Sequence, residues 1–150
     1  MIVDTSAIVA ILQGEPGHQS LMRAILRDPD PLMSAATALE LYAVADGRGE
    51  LAQRRRVDSL LKVLRVRPVP FDTDQAQIAR DAYRDFGRGS GGAAKLNLGD
   101  CFSYALAAHT SQSLLFVGQD FARTDIRAVQ IAADADEPSE RPAPERIGLP

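Results

Sequence analysis

The chain has 150 residues, one cysteine and a formal net charge of −3. This length predicts one domain with a sizeable core, and 45% hydrophobic with 25% charged residues is typical of a soluble globular protein. A single cysteine excludes an internal disulfide framework and favours a reducing compartment. No apolar run approaches the roughly 20 residues that span a bilayer, and no signal peptide opens the chain. We therefore expect a cytoplasmic protein that does not contact a membrane.

The charge is concentrated at the carboxyl terminus. Residues 134–150 carry five acids and two arginines, which leaves 15 acids and 15 bases in residues 1–133. The terminal segment is rich in proline and charge without any period, so we predict a folded domain over residues 1–133 and a disordered acidic tail over residues 134–150. A neutral body neither indicates nor excludes nucleic-acid binding.

Short strands alternate with helices along the body of the chain. We predict strands over residues 1–3, 32–34, 66–71, 114–117 and 126–131, of which 66–71 has the prolines of an edge strand and 114–117 is apolar enough for burial on both faces. We predict helices after a cap at Asp4, Thr5 or Ser6, over residues 19–27, 35–45 and 51–64, from the cap at 72–74 to about 86, and from Asn97 to about 108. This alternation predicts an α/β fold, a sandwich of helices around a short-stranded, mainly parallel sheet.

Four acids fall where such a fold would place a site. Asp4 and Asp120 follow two of the predicted strands, and ligands bind outside the carboxyl ends of parallel strands. Asp100 lies in the first turn of a helix that Asn97 caps, where a carboxylate is also simply favourable. Glu40 lies in a helix that is apolar nearly all round, where an unpartnered charge is costly unless it faces solvent or an arginine. Together the four acids indicate one pocket.

Carboxylates gathered in one pocket repel each other, and their pKa values rise unless a cation is present. Mg²⁺ or Mn²⁺ prefers oxygen ligands and would relieve this repulsion. Such an ion can activate water and stabilise a phosphoryl transition state. The polar side chains of Thr5, Ser6 and Asn97 would orient the carboxylates by hydrogen bonds.

Other chemistries have less support in the sequence. His18 and His109 fall in a turn and at a helix end, where surface positions are expected, and Cys101 is expected to be a buried structural thiol. The glycine-rich segment over residues 87–92 lacks the Gly-Lys-Ser/Thr ending of a P-loop, so we expect it to be a connector.

Several segments, taken in order, resemble the PIN-domain toxins of the VapC type over roughly residues 1–131. The segments are Val-Asp-Thr-Ser-Ala at 3–7, Glu40, Leu-Asn-Leu-Gly-Asp-Cys-Phe-Ser-Tyr-Ala-Leu-Ala at 96–107, and Leu-Phe-Val-Gly-Gln-Asp-Phe at 115–121 with Thr-Asp-Ile at 124–126. The resemblance implies a PIN-like fold and a Mg²⁺- or Mn²⁺-dependent endoribonuclease. It also implies the toxin of a toxin–antitoxin pair, which cleaves structured RNA such as tRNA or rRNA by attack of activated water on a phosphodiester.

The resemblance assigns roles by position. Asp4, Glu40 and Asp100 match the acidic metal-site residues of the family, and Asp120 matches a fourth, more variable acid. Thr5 or Ser6, together with Thr124, match supporting polar residues. The resemblance also implies a homodimer that is inhibited by a small VapB-type antitoxin, whose carboxyl-terminal segment blocks the active-site groove.

Two other functions stay open at the level of the sequence. The same fold with a weak site could act as a non-enzymatic module that binds RNA or a partner protein. A phospho-acceptor signalling domain also places acids at strand ends, but it would need a lysine after a late strand, and Gly-Gln-Asp follows residue 117 here. For a nuclease, the expected phosphate contacts are Arg88, Lys95 and Arg123.

Overall fold

A computed structural model describes residues 1–47 and 51–131. The strands are β1 Ile2–Val3, β2 Leu32–Ser34, β3 Arg67–Val69 and β4 Leu114–Leu115. The helices are α1 Thr5–Gln13, α2 His18–Arg27, α3 Ala35–Gly47, α4 Leu51–Val63, α5 Thr73–Phe86 and α6 Leu98–Thr110, and a 3-10 turn covers Phe121–Arg123. The predicted tail lies outside the described residues.

The four strands form one sheet in the order β3-β2-β1-β4, and every pairing in it is parallel. Ile2 pairs with Leu32 on one side and with Leu114 on the other. The predicted α/β fold is therefore confirmed, and β3, with its exposed Pro68, is the edge strand that the sequence indicated. Because all strands run the same way, their carboxyl ends meet at one side of the sheet.

Helices cover both faces of the sheet. Successive strand residues point to opposite sides, so each strand contributes to two cores. Val3 and Leu115 pack into a core under α1 to α4, whereas Ile2 and Leu114 pack into a second core under α5 and α6. All four side chains are at most 1% exposed. This two-sided burial fixes the short strands and, with them, the loops that follow their carboxyl ends.

Three predicted strands differ from the structure by more than one residue. The strand predicted over residues 66–71 covers only Arg67–Val69. β4 ends at Leu115 rather than at Val117, because the Val117 amide donates to the Ser6 hydroxyl at 3.0 Å and the Val117 side chain is 43% exposed. Residues 126–131 are not a strand. They contribute one bridge between Leu114 and Ala128, held by two backbone hydrogen bonds of 2.9 Å.

In the described part of the chain no helix is both long and apolar enough to cross a membrane.

Candidate active site

Asp4 follows β1 and caps α1. Its Oδ2 accepts hydrogen bonds from the Ser6 amide at 2.9 Å and from the Ser6 hydroxyl at 2.7 Å. The side chain is only 4% exposed, and the Asp4 amide donates to the Leu115 carbonyl. Of the three candidate caps, Asp4 is the one used, and its carboxylate is held against the sheet.

Ser6 connects Asp4 with the chain beyond β4. Its hydroxyl donates to Asp4 and accepts from the Val117 amide, so one side chain bonds two segments that are 111 positions apart. Ser6 therefore orients the Asp4 carboxylate and also ends the β4 ladder. This contact agrees with the supporting role predicted for Ser6.

Asp100 is held by a capping box at the start of α6. The Asn97 side chain accepts from the Asp100 amide at 2.9 Å, and Asp100 Oδ2 accepts from the Asn97 amide at 2.6 Å. The pKa of Asp100 is raised to about 6: burial is the main cause, the hydrogen bond from Asn97 opposes it, and the charges of Asp4, Asp120 and Glu40 add to it. The predicted Asn97 cap is confirmed. The ionised form of Asp100 is disfavoured by burial and by the neighbouring negative charges.

Glu40 extends from α3 to the first turn of α6. A Cβ atom added to Gly99 would lie 2.6 Å from the Glu40 carboxyl carbon, so the carboxylate rests against the Gly99 backbone. Burial and the charge of Asp4 raise the pKa of Glu40, whereas the nearby Thr5 hydroxyl lowers it. Thr5 Oγ1 is buried and makes no well-formed hydrogen bond in the described structure. Glu40, the unusual charge in an otherwise apolar helix, thus has a side chain that faces the other acids.

Asp120 is the outermost of the four acids. It is exposed, and it directly precedes the 3-10 turn rather than directly following β4. Its charge still contributes to the raised pKa of Asp100. The segment that carries it is tied to α6, because the Tyr104 hydroxyl donates to Asp125 at 2.6 Å.

None of the four acids forms an ion pair with a basic side chain that the structure describes. Asp4 and Asp100 each use one oxygen in hydrogen bonds, and neither Oδ1 atom has a protein partner in the described structure. In this same part of the chain, no three Asp, Glu, His or Cys side chains are arranged so that they could hold a metal ion. The four acids nevertheless influence one another's charge, and the Oδ1 atoms of Asp4 and Asp100 are free of protein partners in the described structure.

The remaining predicted residues make no hydrogen bond or ion pair with the four acids in the described structure. Both hydrogen bonds of the Thr124 hydroxyl are local, to the Phe121 carbonyl and from the Ile126 amide, so Thr124 shapes the 3-10 turn and contacts none of the four acids. The three predicted phosphate contacts, Arg88, Lys95 and Arg123, are all exposed. Arg123 donates a long hydrogen bond of 3.5 Å to the Ala93 carbonyl.

Sequence reasoning missed two contacts between α3 and α6. One is the seat of Glu40 on Gly99. The other is a 3.1 Å hydrogen bond between the hydroxyls of Thr37 and Ser103, both fully buried. A glycine in the first turn of a helix is a signal for close approach, because glycine otherwise weakens a helix. The sequence does not say which residue approaches it.

The PIN domain family model matches residues 1–127. The chain is 53% identical to ribonuclease VapC42 of Mycobacterium tuberculosis over 127 residues, which is 85% of this chain and 97% of that protein. The chain belongs to the PIN-domain VapC ribonucleases. The resemblance seen in the sequence is thereby confirmed.

Solved structures place this VapC-family chain in the same fold at low sequence identity. M. tuberculosis VapC20, a toxin that cleaves the sarcin–ricin loop, superposes with a TM-score of 0.67 at 16% identity, over 86% of this chain and 98% of VapC20. A toxin–antitoxin complex from Klebsiella pneumoniae gives a TM-score of 0.63 at 19% identity, over 83% of this chain and 92% of the matched chain.

Proposed function

We propose that this VapC-family ribonuclease is the toxin of a toxin–antitoxin pair and cleaves structured RNA, such as tRNA or rRNA, in a reaction that needs Mg²⁺ or Mn²⁺. The observation that carries the proposal is the group of four acids at the carboxyl ends of the strands, none of which has a basic partner in the described residues. The 53% identity to a ribonuclease supports the choice of RNA as substrate.

The donor set fits a hard divalent cation. Asp4, Glu40, Asp100 and Asp120 offer only oxygen atoms, and two of these acids have raised pKa values that a cation would reverse. Mg²⁺ keeps several waters and takes few direct carboxylates, so it does not require a preformed cage. When bound, the ion would activate water and neutralise charge on the phosphodiester.

The chain's own residues prepare this site. Ser6 and Asn97 fix the rotamers of Asp4 and Asp100 by hydrogen bonds. The two-sided core holds the strand ends rigidly, which a reaction that depends on positioning requires. The exposed cations Arg88, Lys95 and Arg123 would contact phosphates and orient the RNA.

The partner of this site would be a VapB-type antitoxin, which the relation to a toxin–antitoxin complex supports. Leu39 is 69% exposed beside Glu40 in the chain, and Leu98 is 62% exposed two residues before Asp100. A partner segment that is both apolar and basic would suit exposed apolar residues that neighbour acids in the chain. We also infer a homodimer, as the sequence resemblance implies, and a cytoplasmic location, which the single cysteine favours.

Cleavage of RNA by purified protein tests the proposal. Total RNA is incubated with the wild type and with Asp4→Asn, each with Mg²⁺, with Mn²⁺ or with EDTA, and new 5′ ends are mapped. We expect one or a few dominant new ends with the wild type and either cation, and none with EDTA or with Asp4→Asn. Equal cleavage in EDTA would contradict the metal requirement.

The same comparison in cells separates an enzyme from a binding module. Brief induction of the wild type should arrest growth and give the same RNA ends, whereas Asp4→Asn should do neither. Growth arrest without new RNA ends, or arrest that persists with Asp4→Asn, would favour a module that acts by holding RNA or a protein.

A further inference from the structure

Gly99 lies between two of the candidate metal-site acids. It occupies the second position of α6, directly before Asp100, and the Glu40 carboxylate rests against its backbone. A Cβ atom at this position would overlap both carboxylate oxygens of Glu40 and lie 2.6 Å from the carboxyl carbon. Carbon atoms pack best at about 3.5–4.0 Å, so a side chain and the present position of Glu40 are incompatible.

The backbone around Gly99 has little freedom to relieve such an overlap. The capping box of Asn97 and Asp100 fixes the first turn of α6 on either side of Gly99. One turn before Glu40 in α3 and one turn after Gly99 in α6, the buried Thr37–Ser103 hydrogen bond joins the two helices. The helices are therefore held together close to the overlap, and the flexible end of Glu40 is the part that would move.

We propose that Gly99 is a positioning residue for the site, because its missing side chain provides the space in which the Glu40 carboxylate lies beside Asp100. The inference rests on the proposed metal-dependent cleavage. Glycine is otherwise unfavourable in a helix, and α6 carries it at the one turn where the acids from α3 and α6 meet. The role of Gly99 is thus to shape the site, at some expense to its own helix.

The first experiment compares Gly99→Ala with the wild type. We expect kcat for RNA cleavage to fall about 10–100-fold, since small displacements of a reacting group have effects of this size. We also expect weaker Mn²⁺ binding to the metal-free protein by isothermal titration calorimetry. The Tm should stay equal or rise, because alanine favours helix more than glycine does. A structural role alone would lower the Tm instead.

Gly89→Ala is the matched control. Gly89 has no positive φ and no heavy atom within 4 Å of an added Cβ, so the same substitution there meets open space. This variant should keep the wild-type kcat and Mn²⁺ affinity.

The decisive experiment combines Gly99→Ala with a shorter side chain at position 40. Glu40→Asp alone should lower kcat less than Gly99→Ala does, because the carboxylate is drawn back by one methylene and still faces the site. Combined with Gly99→Ala, the shorter side chain avoids the overlap, so the double variant should be more active than Gly99→Ala alone. Additive losses, or wild-type kcat and Mn²⁺ affinity in Gly99→Ala, would overturn the inference. If Gly99→Ala lost its thermal transition, recovery of both folding and cleavage in the double variant would support the inference, and recovery of folding alone would overturn it.

Failure of this inference can be told apart from failure of the proposed function. Cleavage that survives both EDTA and Asp100→Asn would overturn the metal-dependent mechanism itself. An inactive Asp100→Asn together with a fully active Gly99→Ala would overturn only the role of Gly99.

Discussion

The acidic residues at the two ends of the sheet differ in whether they have a basic partner. At the amino ends of the strands, Asp28 pairs with the amino-terminal ammonium group at 2.8 Å, and Asp30 pairs with Arg67 at 2.8 Å. At the carboxyl ends, four acids share one region, and no basic side chain of the described residues pairs with any of them. The acids at one end are paired within the chain, whereas those at the other end have no basic partner among the described residues.

This difference separates residues that serve the fold from residues that serve the site. Burial raises the pKa values of Glu40 and Asp100, so ionised forms at these positions oppose folding of the metal-free protein. Destabilised groups of this kind are common at functional sites, where activity is retained at the expense of stability. Substitutions at the two ends should therefore affect activity and stability differently.

The largest effect is expected for Asp100→Asn. Loss of one carboxylate from the site should reduce RNA cleavage about 100-fold or more, because charge stabilisation by a metal contributes several kcal/mol to the transition state. Single-turnover cleavage of a mapped RNA substrate measures this loss. Asp30→Asn at the opposite end is the control and should cleave at the wild-type rate. Equal losses in the two variants would remove the distinction between the ends of the sheet.

A smaller effect is expected for Ser6→Ala. The change removes the 2.7 Å hydrogen bond to Asp4 and the 3.0 Å bond from Val117, so Asp4 loses an orienting contact. Cleavage should fall about 10-fold, and the free energy of unfolding should fall by about 1–2 kcal/mol. Denaturant unfolding and initial rates measure the two changes. Ser6→Thr keeps a hydroxyl and should recover part of both, and no recovery would argue against the hydrogen bonds as the cause.

The pH dependence of stability reports on the acidic end directly. The pKa of Asp100 is raised from 3.8 to about 6, so the folded metal-free protein holds this proton more tightly than the unfolded chain does. The stability contributed by protonated Asp100 is present below pH 4 and is lost as the pH rises through 6.

In EDTA, the Tm of Asp100→Asn minus that of the wild type should therefore increase between pH 4.5 and pH 7.5. An increase of about 1–3 °C is expected for a chain of this size and a partly exposed group. Differential scanning fluorimetry measures it, and Asp28→Asn provides the comparison at the opposite end. A difference that is constant with pH would show that Asp100 does not titrate abnormally.

The smallest effects are expected at the amino ends of the strands. Arg67 and Asp30 are more than half exposed, at 57% and 59%, so Asp30→Asn should change the free energy of unfolding by less than about 1 kcal/mol. Asp28 is 18% exposed, and its substitution should have the larger effect of the two. Neither change should alter Mn²⁺ binding. Weaker Mn²⁺ binding in either variant would mean that the two ends are coupled.

Much of the acidic end could be predicted because it depends on local rules. Asp4 follows an apolar run and caps the next helix, and the Asn97–Asp100 pair is a capping box whose spacing is visible in the chain. Glu40 could be singled out because a charge among apolar residues needs an explanation. These positions are set by the few residues around them.

The remaining features depend on contacts between distant segments. The length of β4 is set by the Ser6 hydroxyl, which accepts a hydrogen bond from the Val117 amide more than 100 positions away in the chain. The apolar residues after 126 resemble a strand, but Leu114 bonds to them at only one bridge. The contact of Gly99 with Glu40 needs the packing of α3 on α6, which periodicity alone does not provide.

Titration of the metal-free protein with Mn²⁺ at pH 7.5 tests the central claim most directly. We predict that the wild type and Asp28→Asn bind Mn²⁺ with equal affinity, whereas Asp4→Asn and Asp100→Asn bind it more than about 10-fold more weakly. Equal Mn²⁺ affinity of Asp100→Asn and the wild type would contradict a cation site among the four acids.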